Sequence, residues 1–491
     1  MAASGLLVYR SHTDTIFAPA TAAGRAAIAI LRISGPDCAR AVSILAGKLP
    51  QPRVAARRHF IDPATGETLD DGLVLWFPGP NSVTGEDVAE FHVHGSRAVL
   101  AGVMEVLRGL GLRLADPGEF TRRAFHNGKL DLLQAEAIAD LVAAETEAQR
   151  RQALRQLDGE LGGLYGGWRD RLTRMLAHVE AAIDFPDEDL PPEIEDRILG
   201  ETEVLITEVE RHLADGHRGE RLRDGIMVAI IGPPNAGKST LINKIARRDA
   251  AITSPVAGTT RDIVEVVVDL EGYPVVLADT AGLRDSEDVV EREGLRRALR
   301  RAEEAEIRLF VFDARCPEEA RGAAAWPRPD TILVANKIDL LPASPLLPSG
   351  ERRKAPHPNP LSACGEREGP AKREGEGGQV TDIRRFSWGG FPQEAIVVSA
   401  LTGEGIDALL SALGERVAQT CRIEAPVLTR ARHRQALEEA VSSLRRALGA
   451  ALPELRAEDL RLALRSLGRI TGSIDVEDLL DMIFRDFCIG K

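Results

Sequence analysis

The chain has 491 residues, 44% apolar and 28% charged, with 75 acidic side chains against 62 basic ones and a formal net charge of −13. At roughly 150 residues per domain this suggests about three domains; the composition excludes wholesale disorder, and the charge excludes a polycation that coats nucleic acid, so any RNA contact has to be a local patch. The five scattered cysteines (Cys38, Cys316, Cys364, Cys421, Cys488) have no CxxC spacing and exclude a disulfide framework or zinc ribbon; with no apolar run near the roughly 18 residues of a membrane span and no leader-like start, a soluble, cytoplasmic protein with no membrane role is expected.

In chain order, residues 1–125 alternate short β-like runs (Ala27–Ile33, Leu73–Phe77, Val88–Val93) with turn clusters such as Pro78–Asn81 and Pro117–Gly118, and read as a compact mixed α/β domain. From about 126 the style changes. Leu130, Leu133, Ala137, Leu141 and Ala144 follow helical spacing, and helix formers dominate to residue 224, interrupted by the acidic, proline-containing stretch 184–192.

A third style occupies 225–419. Six apolar runs, Ile226–Ile231, Ile263–Leu270, Val275–Ala278, Ile307–Phe312, Thr331–Ala335 and Ala395–Val398, are mostly separated by helical segments. This predicts a doubly wound, mostly parallel sheet of P-loop type. Residues 420–491 return to the helical style, with Leu437, Val441, Leu444, Leu448 and Ala451 on one face. They are few for an independent core, so they should pack with 126–224, which makes 225–419 an insertion into one helical domain. The expected fold class is therefore α/β multidomain. Within the insertion, 341–392 holds 8 Pro and 8 Gly in 52 residues and reads as a low-complexity, disordered surface segment belonging to no domain.

Gly232–Ser239 (GPPNAGKS) matches the phosphate-binding loop GxxxxGK[ST] between a strand and a helix. Its backbone N–H groups, from Asn235, Ala236 and Gly237 into Ser239 and Thr240, can approach phosphates; Lys238 would span the β and γ phosphates and the Ser239 hydroxyl would meet Mg²⁺. Asp279-Thr280-Ala281-Gly282 closes the third run, Asp279 reaching Mg²⁺ through water and the Gly282 amide meeting the γ-phosphate. Asn336-Lys337-Ile338-Asp339 follows the fifth run. A carboxylate at Asp339 accepts both guanine N1–H and N2–H, which adenine cannot offer, and Ser399-Ala400-Leu401 can donate to guanine O6. Four elements in this order imply a GTPase.

The residue after Gly282 is Leu283, which cannot orient a water. Glu291 is a candidate for that step, an exposed helix carboxylate being the other reading. No arginine finger can be assigned, and the Asn235 amide oxygen could help hold a monovalent cation where that charge is needed. Ser254–Asp262 would be the first switch, with Thr260 as a second hydroxyl on Mg²⁺.

Three further features are weaker. His92 and His94 lie two apart on a strand but have no third metal ligand in the pattern. Residues 421–470 carry ten arginines against six acids; Arg430, Arg432, Arg434, Arg445, Arg446, Arg461 and Arg465 could form an RNA-facing patch or simply a solvated helix face. The C-terminal Cys488-Ile489-Gly490-Lys491 formally fits a prenylation box but ends in poor final residues; its thiol either reaches an active site or packs at a helix end.

Taken together, Ile30–Gly35, Leu75–Ser82, Gly85–Val88, Pro117–Phe120, Lys129–Leu132, Gln134–Leu141, Glu180–Asp187 and Phe487–Lys491 resemble the MnmE (TrmE) family, GTPases of tRNA wobble-uridine modification, over the whole chain except 341–392. The resemblance implies an N-terminal domain like tetrahydrofolate-binding one-carbon enzymes that makes a homodimer, with Arg32, Glu90, Lys129 and Lys491 around a 5,10-methylene- or 5-formyl-tetrahydrofolate. It implies K⁺ held by Asn235, Ser254 (usually Thr in the family), Val256 and Thr259, and it puts Glu291 on the family's water-orienting glutamate. It further implies joint action with the FAD-dependent MnmG on tRNA, adding an aminomethyl or carboxymethylaminomethyl group to wobble uridine; the assignment of Cys488 to that modification step is our own expectation from its thiol. A ribosome-assembly or signalling GTPase without covalent RNA chemistry is the alternative class.

Overall fold

A computed structural model describes residues 14–185, 192–215, 217–247, 251–252, 265–279, 303, 305–325, 331–341, 385–386, 395–421, 427–474, 480, 483–484, 487 and 490. The chain divides into two compact units, one formed by Met1–Ala144, Gln149–Glu220 and Ile423–Lys491, the other by Glu145–Ala148 and Arg221–Arg422.

The first unit opens with β1 (Ile16–Pro19), β2 (Ala26–Ser34), α1 (Cys38–Ala46), β3 (Ala56–Ile61), β4 (Thr68–Phe77), β5 (Val88–Gly95), α2 (Arg97–Gly109), β6 (Arg113–Leu114) and α3 (Glu119–His126). The strands form one sheet in the order β3-β4-β5-β2-β1-β6, antiparallel except for the β1–β6 pair. Strand alternation sorts the side chains. On β5, Ala89, Phe91 and Val93 enter a core with Leu31 and Ile33 of β2, Val42 and Leu45 of α1, and Val103 and Leu107 of α2. The intervening Glu90 and Arg32 therefore share the opposite face, directly across from one another in the β2–β5 register.

Helices α4 (Leu132–Ala143), α5 (Glu147–Leu157), α6 (Glu160–Asp184), α7 (Pro192–Leu213) and α8 (Arg218–Asp224) follow. A capping box starts α4: the Asp131 side chain accepts from the Gln134 N–H, and the Gln134 side chain accepts from the Asp131 N–H. The helix begins two residues after the expected Leu130, and its buried stripe is Leu132, Leu133, Ala135, Glu136 and Ala137.

The second unit contains β7 (Ile226–Ile231), α9 (Lys238–Ala246), β8 (Ala251–Ile252), β9 (Glu265–Leu270), β10 (Tyr273–Asp279), β11 (Ile307–Asp313), β12 (Thr331–Asn336), β13 (Arg385–Phe386), β14 (Ala395–Val397) and α10 (Ile406–Cys421). Its sheet runs β13-β14-β12-β11-β7-β10-β9-β8. The strands from β14 to β10 are parallel, and β9 runs antiparallel to β10. One sequence expectation is corrected here. Arg385–Phe386, inside the 341–392 stretch, pairs antiparallel with β14, so this part of the stretch belongs to the sheet. The reason is local: main-chain pairing with β14 needs only two extended residues, which a proline- and glycine-rich composition does not preclude.

The chain then returns to the first unit with α11 (Ala431–Gly449) and α12 (Pro453–Thr471). Leu437, Val441 and Leu444 of α11 and Leu460 and Leu467 of α12 share one core with Leu161, Trp168 and Leu172 of α6 and Leu205 and Val209 of α7. Helices on both sides of the second unit in sequence thus close a single core. Gly219 lies so near residue 428 that a Cβ there would come 2.2 Å from the Leu428 carbonyl oxygen.

Candidate functional site

The fully apolar β7 sits between β10 and β11 and delivers residues 232–237 to the C-terminal edge of the parallel strands. Two glycines are required there. A Cβ on Gly232 (φ +140°) would lie 1.9 Å from the Val311 carbonyl oxygen, and one on Gly237 (φ +92°) 2.3 Å from Asn336 Nδ2. Asn235 between them adopts φ +61°. The Lys238 ammonium, 7% exposed, donates to the Gly232 and Pro233 carbonyls at 2.8 Å each, folding the loop around itself. Ser239 and Thr240 are exposed in the first turn of α9, the end of a helix whose dipole attracts anions.

Asn336, at the end of β12, ties this loop to the next. Its Nδ2 donates to the Ala236 carbonyl at 2.8 Å, and its Oδ1 accepts from the Ala400 N–H at 2.9 Å. Lys337, at φ +66°, donates through Nζ to the Asn235 carbonyl at 2.5 Å and pairs with Asp313 at 2.9 Å. The Ser399 hydroxyl donates to Asp339 at 2.6 Å and accepts from the Thr402 N–H at 3.1 Å. The Leu401 carbonyl accepts from Lys244 at 3.4 Å, while its side chain is exposed. A hydrogen bond from Arg315, then one from Lys337, hold the Asp313 carboxyl well below the usual carboxylate range despite its burial. Asp313 carried no motif; its only trace in the sequence is an acid ending a strand that is apolar apart from Arg308, one strand away from Lys337.

The expected residues thus divide. Asn235 to Thr240, Asn336, Lys337, Asp339 and Ser399 to Leu401 gather at one edge of the sheet. Asp279 is the last residue of β10, opposite Ile230 in register, with its side chain outside the described residues. Ser254, Val256, Thr259, Thr260, Thr280, Ala281, Gly282, Glu291, Cys488 and Lys491 lie outside the described residues altogether.

In the first unit, Arg32 and Glu90 form an ion pair at 2.9 Å, their side chains 23% and 19% exposed, and the Arg32 guanidinium lies 5.7 Å from the Phe120 ring centre. Phe120, inside the stretch Pro117–Phe120 but given no role by the sequence, backs this pair from α3. Lys129 follows α3, its N–H donating to the Ala124 carbonyl and its side chain running beside Gly85. Gly490 (φ +101°) is buried against β1: a Cβ there would lie 2.1 Å from the Pro19 carbonyl, and β1 residues Ala18 and Pro19 pair with Arg32 and Leu31. His92 Nε2 stands 3.6 Å from Glu90, while His94 bonds Asp70 at 2.8 Å. Among the described residues, no group of three His, Cys, Asp or Glu side chains is placed to hold a metal.

The broad arginine patch is corrected by the structure. Arg430 pairs with Asp140, Arg432 with the buried Glu136, and Arg434 with Asp215 and Glu220, all at 13–20% side-chain exposure. These three hold helices together, because burying a guanidinium demands a carboxylate partner.

A glycine-rich loop between a buried strand and a helix, with Asn336, Lys337 and Asp339 beside it on a mostly parallel sheet, defines a P-loop GTPase unit inserted in sequence within a helical region that follows an α/β domain. The sequence family described as GTP-binding protein TrmE N-terminus matches residues 15–129, and the one described as MnmE helical domain matches 132–488. The chain is 52% identical to the tRNA modification GTPase MnmE of Rhodospirillum rubrum, over 97% of this chain and 99% of that protein. Against the same protein of Parvibaculum lavamentivorans it is 51% identical over 97% and 100%, and against that of Paramagnetospirillum magneticum 52% over 98% and 100%. Among solved structures, the G domain of the T. maritima FeoB iron transporter matches 40% of this chain at 17% identity and a TM-score of 0.24, too slight a likeness to argue from. The chain belongs to the MnmE (TrmE) family of tRNA modification GTPases.

Proposed function

We propose that this GTPase is K⁺-dependent, works as a cytoplasmic homodimer with MnmG, and takes part in adding an aminomethyl or carboxymethylaminomethyl group to C5 of wobble uridine in tRNA. The observation that carries the nucleotide part is the Asn336 side chain bridging the phosphate loop and the Ser399–Leu401 loop, with the Ser399 hydroxyl in turn bonded to Asp339, so that the three motifs are tied together by hydrogen bonds. In this reading Asp339 selects guanine, Lys238 and the α9 N-terminus meet the phosphates, and Ser239 with Thr260 would hold Mg²⁺. Asn235 with Ser254, Val256 and Thr259 would hold K⁺, whose charge offsets that developing in phosphoryl transfer. Among these ligands the described Asn235 fits: its side chain is exposed, and its positive φ is held by the Lys337 bond to its own carbonyl. Glu291 would orient the attacking water.

The folate part rests on Arg32, Glu90, Lys129 and Lys491. The donor set suits a tetrahydrofolate, a carboxylate for ring N–H groups and cations for the glutamyl carboxylates, and the reading is supported by Gly490 packing on the end of β1, the neighbour of the strand that carries Arg32. A methylene-tetrahydrofolate held there supplies the one-carbon unit. Cys488, two residues before Gly490, would serve the modification step.

The test measures GTP hydrolysis by the full chain in K⁺ and then in Na⁺ at equal ionic strength, with 5-formyltetrahydrofolate titrated against the wild type and Glu90→Gln. Hydrolysis should slow at least tenfold in Na⁺ and the folate should bind at least tenfold more weakly to the variant. Equal rates would remove the cation, and equal affinities the folate site.

A further inference from the structure

With Arg430, Arg432 and Arg434 locked in carboxylate pairs, the basic character of the helical region resolves to a narrower place. Between α11 and α12 runs an open groove of about 460 Å³ lined by Ser442, Ser443, Arg446, Arg465, Ser466 and Arg469. One acid, Glu439, reaches it, and it is occupied in holding Arg469; Leu462 is the single large apolar side chain in the lining. Arg446 is oriented by Asp459 at 2.8 Å and by the Ser442 and Ser443 hydroxyls at 3.3 and 3.0 Å. Arg465 is exposed and makes no hydrogen bond or ion pair among the described residues.

Sequence and geometry agree on the groove's polarity. None of residues 460–474 is acidic, and Arg465 and Arg469 stand four residues apart, about 6 Å along α12, while Arg461 one turn earlier is paired with Glu180 and Glu458 outside the groove. In a chain of net charge −13, this is a run of cations set among hydroxyls, offering N–H and O–H donors and little for an apolar side chain to fill. A protein partner would want an apolar anchor at the centre of such a surface. A phosphodiester backbone wants donors and positive charge.

We propose that the α11–α12 groove binds the sugar–phosphate backbone of the tRNA substrate, with Arg465 as the cation left uncommitted for phosphate and Arg446 and Arg469 held ready by their acidic partners. The tRNA is the substrate class of the family, and the groove is a second site, separate in sequence from the residues proposed for nucleotide and folate. Its phosphate contacts position the RNA and carry no sequence information.

The experiment uses the full-length protein and measures unmodified tRNA binding by fluorescence anisotropy across a salt series, a readout that needs neither K⁺, folate nor MnmG. Arg465→Ala should weaken binding severalfold and lower the slope of log affinity against log salt by about 0.7–0.9, the loss of one phosphate contact. Arg465→Glu should weaken it about tenfold or more, and Arg465→Lys should keep the slope. GTP hydrolysis without tRNA should stay at the wild-type rate in all three, and unchanged thermal unfolding checks the fold. Arg174→Ala tests a second arginine-lined hollow, between α6 and α7, and should leave tRNA affinity unaltered. Wild-type slope and affinity in Arg465→Glu would overturn the proposal, including the case in which tRNA modification nonetheless falls, since the groove would then serve a protein partner. An equal loss in Arg174→Ala would overturn it as mere overall charge. Complete displacement of tRNA by millimolar inorganic phosphate, at matched ionic strength, would overturn it in favour of a free-anion site.

Discussion

His433 shows how much chemistry a single buried residue can carry. It is fully buried, its Nε2 stands 3.0 Å from the Glu136 carboxylate, and its Nδ1 has no hydrogen-bond partner among the described residues. The neutral ring with its proton on Nε2 fits this place; a proton on Nδ1 would be buried unpaired beside Arg432. Burial and then Arg432 push the His433 pKa down to about 4 from 6.5. The unfolded chain therefore takes up this proton before the folded one does, so stability is complete above about pH 6.5 and falls as pH drops toward 4. The loss from this group is about 3 kcal/mol. Glu136 acts in the same direction at lower pH: burial would raise it, but Arg432 and His433 outweigh that and hold it below its usual range. Urea unfolding of the wild type between pH 7 and 4.5 should show the decline, and His433→Gln, which can still donate to Glu136, should remove most of its upper part. A wild-type curve flat across pH 6.5 to 4.5 would refute the neutral-histidine account.

Asp313 poses the corresponding question at the nucleotide site. It anchors Lys337, which anchors the Asn235 carbonyl, so a carboxylate on β11 sets the height of the phosphate loop. Asp313→Asn keeps the shape and removes the charge. GDP affinity should fall about tenfold, about 1.4 kcal/mol, a typical size for a charged hydrogen bond. Titration of a fluorescent GDP checks this, and an unaltered dissociation constant would mean that Lys337 needs no anchor.

Among the elements, legibility followed periodicity. The apolar runs of the second unit became β7, β9, β10, β11, β12 and β14 because a buried parallel strand is apolar on both faces. The reversed direction of β9 was hidden, since pairing sense leaves no mark in a run of valines. In β5 the alternation was clear, yet Arg32 and Glu90 looked like ordinary surface charges until the β2–β5 register set them opposite each other. The arginines of α11 were legible as charges only. Their partners Glu136, Asp140, Asp215 and Glu220 lie more than 200 residues earlier in sequence, and no local pattern connects them.

Strand β13 was missed for the opposite reason, being two residues long inside a stretch dominated by proline and glycine. It yields a test. Deleting residues 343–383 leaves the edge strand and should preserve thermal stability within about 2 °C and GTP hydrolysis within twofold. Extending the deletion through 390 uncovers β14, whose Ala395 and Val397 face a buried cluster, and should raise aggregation on heating, followed by light scattering. Equal behaviour of the two deletions would show that β13 protects nothing.

At the scale of the whole molecule, one core is built from two stretches of chain held apart by the second unit in sequence. Trp168 and Leu205 precede residue 221, whereas Leu437 and Leu467 follow residue 422, and all four belong to the same cluster. During synthesis, α6 and α7 leave the ribosome about 250 residues before α12 does. At 5–20 residues per second their apolar faces stand uncovered for roughly 10–50 s. The intervening GTPase unit holds its own cores and can fold in that interval. The nascent helices are therefore natural clients for a chaperone, and a message cut short soon after codon 422 would release a chain whose enzyme unit is made but whose scaffold has no lid.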